Sequence, residues 1–147
     1  MNVFIKALLF ALIASIGNAI FVFGQKKSGV VSNPFIFIIL SLLSCIVLLA
    51  IASLFFPRTN IKEYLSDNHK TILITGVGLF ITYIGFYLLY SRFGASYYIL
   101  YAVFSIVTTS IIVGVIYFKE GFNIYYALSI LSSLVTILFF YLGKHKA

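Results

Sequence analysis

Five long runs of apolar residues, separated by short polar clusters, organise this chain. They cover about 3–23, 34–56, 71–90, 97–118 and 124–142. Each approaches the roughly 20 residues that a helix needs to cross a hydrocarbon core about 30 Å thick. The pattern predicts an all-α integral membrane protein with five transmembrane helices, forming one transmembrane domain over 1–147. The connectors GQKKSGVVSN, PRTNIKEYLSDNHK, SRFGAS and KEGFN, with the tail GKHKA, leave no length for a soluble domain. Gly24, Gln25, Lys26 and Lys27 follow the first run where a secretory signal would carry small residues and a cleavage site, so this run reads as a retained helix.

Polar residues inside the runs carry the functional signal. In the first, Ala11, Ser15, Asn18, Val22 and Gln25 recur at helical spacing. Asn18 lies deep, where an amide either lines a wet cavity or bonds to another helix. In the third, Gly78, Thr82 and Gly85 form a small-residue stripe of the kind that lets helices approach. Tyr83, Tyr87 and Tyr90 form a second stripe, with Tyr90 as an interfacial anchor. In the fourth, α-helical spacing puts Tyr98, Tyr101, Ser105, Thr108 and Ile112 on one face, with rings for contact and hydroxyls for orientation. Ser110 and Gly114 make a small pair on another face. The last run, with Ser129, Ser132, Ser133 and Thr136, reads as a packing or dimerisation helix.

Composition narrows the picture further. Among 147 residues, 63% are hydrophobic and 9% charged, against about 25% charged in soluble domains. The net charge of +7 comes from Lys and Arg flanking the runs, where they anchor helix ends. No basic surface interleaved with aromatic residues suggests nucleic acid as a partner. Cys45 is the single cysteine and sits mid-span, with no disulfide or metal partner. His69 and His145 lie in a loop and the tail. With no catalytic cluster, phosphate loop or metal-ligand spacing, neither enzymatic activity nor a cofactor is expected. Glu120, before the last run, has two readings. It complements the positive N-terminal end of the following helix, or it acts as a gate or contact for a cationic substrate at a cavity mouth.

Cytoplasmic loops normally carry the excess of Lys and Arg. Five spans put Lys6, Arg58, Lys62, Lys70 and Lys119 on one side, and Lys26, Lys27, Arg92, Lys144 and Lys146 on the other. The two sets are equal. A chain with an odd number of spans and no charge bias is expected to insert both ways and pair with an inverted copy of itself, unless a short helix in the second loop or a partner imposes one orientation. Inverted pairs are a recurring basis for alternating access.

The run FGASYYILYAVFSIVTTSIIVGVIYFKEGFNIYYALSILSSLVTILFFYLG resembles the second part of an EamA-type repeat of the drug/metabolite transporter superfamily. SIGNAIFVFGQKKSG is similar to the end of the first span in that superfamily and in the related small multidrug resistance exporters. The resemblance implies one five-helix repeat working as an antiparallel homodimer in a bacterial inner membrane. It implies export or exchange of a drug or metabolite, with lipid-linked-sugar flippase subunits among the small relatives. Ala14 stands where the small exporters carry a membrane-embedded Glu, and the chain has an additional span and no Trp. That departure points away from proton-coupled cation export and towards uniport, exchange or a neutral or zwitterionic solute, although tyrosines would also hold an organic cation. The expected substrate contacts are Asn18, Tyr83, Tyr87, Tyr98, Tyr101, Ser105 and Thr108. The expected partners are membrane lipid, a small-molecule substrate and a second copy of the chain. The alternative is a non-transporting subunit, or a flippase subunit, that acts with a different partner.

Overall fold

The computed structural model describes residues 3–29 and 32–146, and no strand occurs among them. Val30 and Val31 of the first connector and the side chain of Lys146 lie outside the described residues. The helices are α1 (Val3–Ser28), α2 (Pro34–Ser53), α3 (Ile61–Arg92), α4 (Tyr98–Ser105) and α5 (Ile124–Lys146). A single 3-10 turn, Ala95–Tyr97, leads into α4, which continues as a π-helix over Ile106–Tyr117. Five stretches are long and apolar enough to cross a membrane: Val3–Ser28, Pro34–Ser53, Ile61–Arg92, Ala95–Tyr117 and Ile124–His145.

Local chemistry accounts for the boundaries. Asn33 caps α2, its Oδ1 accepting from the Phe35 amide at 3.1 Å, and Pro34 supplies the first helical residue. Gly29, at φ +69°, takes the left-handed position that ends α1. The expected start of the third span at residue 71 moves to Ile61. Glu63 accepts from Asn60 Nδ2 at 3.3 Å and is favoured in a first turn, and Lys62, Leu65 and Lys70 are good helix formers. At 1.5 Å per residue α3 is about 48 Å long, more than the roughly 30 Å thickness of a hydrocarbon core.

The chain divides into two compact units, residues up to Gly94 and residues from Ala95 on. In the first, the buried side chains are Val22 and Gln25 of α1, Ile38 of α2, and Phe86, Tyr87 and Tyr90 of α3. All lie towards the C-terminal ends of α1 and α3 and the N-terminal end of α2, so the three helices converge there. Rings make the junction: Phe21 meets Tyr83 edge-on at 5.4 Å and Phe86 at 5.7 Å, and Phe86 stacks on Tyr90 at 5.2 Å. The Gly78, Thr82 and Gly85 stripe does not mediate this packing. No neighbouring atom lies within 4 Å of where a Cβ would stand on either glycine, and the Thr82 hydroxyl returns to the Gly78 carbonyl at 2.9 Å. The large rings, not the small residues, bring α1 and α3 together.

In the second unit α5 packs on α4 and the π-helix. Tyr97 meets Phe140 edge-on at 5.2 Å, with Lys144 Nζ 5.0 Å from the Tyr97 ring centre. The α5 hydroxyls bond within their own helix, as Ser129 to Tyr125 O at 3.0 Å and Ser132 to Leu128 O at 2.9 Å. None of the most apolar window of α5 is buried, which leaves its surface for lipid or another helix.

Candidate functional site

The site forms in the second unit, where the π-helix ends. Apart from Ser110, Gly114 and Tyr117, every residue of Ile106–Tyr117 is β-branched. β-branched residues crowd their i+3 and i+4 neighbours on an α-helix, and this run winds with i→i+5 bonding, a rare form that is frequent at functional sites. The winding changes which side chains line up. Thr109 and Gly114, five apart, share one wall with Ser110 and Val115, also five apart, and Thr108 and Ile112 are not among the lining residues. The α-spaced face expected from Tyr98 to Ile112 therefore holds only as far as Ser105.

Beyond Tyr117 the chain folds back on the helix it has left. The Phe118 amide donates to Val113 O at 3.0 Å and the Glu120 amide to Gly114 O at 3.0 Å. Lys119 accommodates the reversal at φ 55°, a left-handed conformation that costs a non-glycine residue about 1–2 kcal/mol. Backbone strain of this kind concentrates at ligand sites and switches. The reversal lays the Glu120 side chain against Gly114. A Cβ at position 114 would lie 3.0 Å from Glu120 Oε2 and 3.6 Å from its Cδ. Of the small Ser110 and Gly114 pair, Gly114 thus makes room for a carboxylate.

The result is a cleft of about 280 Å³ whose walls include Thr109, Ser110, Glu120, Phe118, Phe122 and Tyr126. Phe122 and Tyr126 are stacked, their planes 20° from parallel and their ring centres 6.4 Å apart. Among the described residues no side chain donates to the Glu120 carboxylate, and the Thr109 and Ser110 hydroxyls are likewise uncommitted. The end of α5 does not need Glu120. Asn123 Oδ1 accepts from the Tyr125 amide at 3.0 Å and the Tyr126 amide at 3.1 Å, which caps the helix. One carboxylate, two free hydroxyls and three aromatic rings make a site suited to an organic cation.

The expected contact residues fall in both units. In the second, Tyr98 and Tyr101 are half-buried neighbours with ring centres 5.6 Å apart. Ser105 is the last residue of α4, and the Thr108 hydroxyl is bonded back to Phe104 O at 2.8 Å. In the first unit, Asn18 and Tyr83 are half-buried. Tyr87 is buried, and its hydroxyl donates to Gly29 O at 3.1 Å, tying the end of α1 to α3. Tyr87→Phe removes that tie, and interhelical bonds of this type contribute about 0.6–2 kcal/mol in membranes. The expected result is a melting temperature lower by roughly 1–8 °C, read by circular dichroism in vesicles.

Thr109, Ser110 and Gly114 were not among the expected contacts. The signal available for them was the β-branched run itself, because α-helical spacing misplaces every residue that follows a change of winding. No protein-family model, no curated protein and no solved structure matches this chain.

Proposed function

We propose that this protein is a multi-pass membrane carrier for small organic cations and that it works as a pair of inverted copies. The observation that carries this reading is the Glu120 carboxylate, turned back over Gly114 into a cleft with free hydroxyls and aromatic rings. A carboxylate near a span normally finds a partner or marks a ligand path. Ala14, at the position of the small exporters' membrane-embedded Glu, points towards a neutral or zwitterionic solute; the position of Glu120 favours a cation instead. Pairing with an inverted copy is supported by the equal Lys and Arg sets on the two sides and by the exposed surface of α5. Two such copies would place equivalent sites for alternating access.

Transport is tested with the purified chain in dioleoylphosphatidylcholine vesicles and radiolabelled tetraethylammonium, a cation that crosses bare lipid slowly. Saturable uptake above that of empty vesicles is the expected result; uptake equal to theirs rejects the carrier reading. Pairing is tested separately, in sealed cells, with Cys45→Ala combined with Ser32→Cys or Thr59→Cys. Each cysteine is expected to label from both sides of the membrane. Labelling from one side only rejects the inverted pair.

A further inference from the structure

A second binding site lies in the first unit. Gln25 is 1% exposed, and its carbonyl Oε1 has no hydrogen-bond partner. A buried acceptor in this state needs an explanation, because buried side-chain polar atoms are nearly always paired. Gln25 lines a cavity of about 110 Å³ with Phe21, Ser41, Cys45 and Tyr83. The Ser41 proton is already committed to Phe37 O at 2.9 Å, so Ser41 does not supply the missing donor.

The small cavity does not stand alone. Ile38, Leu42 and Tyr83, which help to line it, also line a second space of about 320 Å³ between α2 and α3. Its other walls include Phe35, Gly76 and Phe80, and all its lining residues except for the Tyr83 hydroxyl are hydrocarbon or aromatic. On α3 these walls run from Gly76 to Ile84, which at 1.5 Å per residue is a slot about 12 Å long. Gln25 itself adjoins Lys26 and Lys27 at the end of α1, the level at which charged side chains reach a headgroup region.

A polar acceptor at the headgroup level, in a cavity that shares Ile38, Leu42 and Tyr83 with a narrow apolar slot, matches the polar head and apolar tail of an amphiphile. The head must donate a hydrogen bond. It must also be uncharged, because no acidic side chain lines either space and two lysines stand beside Gln25. We propose that Gln25 and the α2–α3 slot bind a single-chain neutral amphiphile from the lipid phase, with its hydroxyl donating to Gln25 Oε1 and its tail lying along Ile38, Leu42 and Phe80. This site is independent of Glu120 and of the transport reading.

The test uses the full chain in dioleoylphosphatidylcholine vesicles, a lipid whose headgroup and esters carry no hydrogen-bond donor. Oleyl alcohol is compared with oleyl methyl ether, which has the same chain and no donor. At about a hundredfold excess over its Kd the alcohol is expected to raise the melting temperature by about 5 °C, and the ether to leave it unchanged. Gln25→Leu removes the orphaned acceptor, so the alcohol-free protein should melt at a higher temperature and lose its response to the alcohol. Gly76→Leu, at a position where an added Cβ meets nothing within 4 Å, fills the slot from the other end and should also lose the response. Equal shifts with alcohol and ether, no shift with either, or a full response surviving in Gln25→Leu or Gly76→Leu would overturn the proposal. The alcohol and ether comparison decides on the unaltered protein, even if Gln25→Leu fails to fold.

Discussion

Glu120→Gln is expected to weaken tetraethylammonium binding about tenfold while leaving the melting temperature within about 2 °C of the unaltered protein. The size follows from the charge. A unit pair about 5 Å apart at an effective dielectric of ~20 interacts by roughly 3 kcal/mol. Glu120 is exposed on the open side of its cleft, so solvent screening reduces that by about half, and 1.4 kcal/mol is a factor of ten. The small thermal effect follows because Asn123, not Glu120, caps α5. Uptake in vesicles and equilibrium binding in detergent read the two quantities independently. A substitution that lowers both in parallel would assign Glu120 a structural role. Unchanged binding would remove the carboxylate from the site altogether.

Gly114 is expected to separate binding from stability in opposite directions. Gly114→Ala puts a methyl group 3.0 Å from Glu120 Oε2, so the carboxylate tip shifts outward and affinity falls. The group that must yield is the end of a flexible side chain, and replacing glycine within a helix contributes about 0.5–1 kcal/mol of stability. The melting temperature should therefore hold or rise. Gly114→Leu fills the space that the carboxylate uses, and its affinity should match that of Glu120→Gln. Combining the two substitutions gives a further check. If both act on the same contact, Gly114→Leu with Glu120→Gln is no weaker than either alone, since coupled positions are not additive. Additive losses would show that Gly114 acts elsewhere.

The elements were legible because hydrophobic length is a one-dimensional property. A run of about twenty apolar residues becomes a helix with no reference to its neighbours, and the five predicted runs coincide with the five apolar helices apart from their ends. The main boundary missed, Ile61, lies in a polar segment, where hydropathy is silent and the first-turn Glu63 favours a helix start. The small-residue stripe of α3 misled for a related reason. Gly78 and Gly85 permit close approach but do not select a partner, whereas Phe21, Tyr83 and Phe86 gain contact only against one another.

The sequence alone determined that the chain is helical and apolar, with equal numbers of Lys and Arg on the two sides of its apolar runs, because each of these is a sum or a period along the chain. It also singled out Glu120, the acid in the short connector before the last run, without settling where its side chain goes. The tertiary structure decided that. The i→i+5 winding of Ile106–Tyr117 carries Thr109, Ser110 and Gly114 to one wall, and the left-handed Lys119 turns the carboxylate back onto it. Gln25 shows the same division. Its place among the polar residues of α1 was visible from spacing, but its unpaired carbonyl and the slot beside it exist only once α1, α2 and α3 converge. Faces read from sequence assume one helical period throughout, and a change of winding or a reversal of the chain breaks that assumption where this protein places its polar groups.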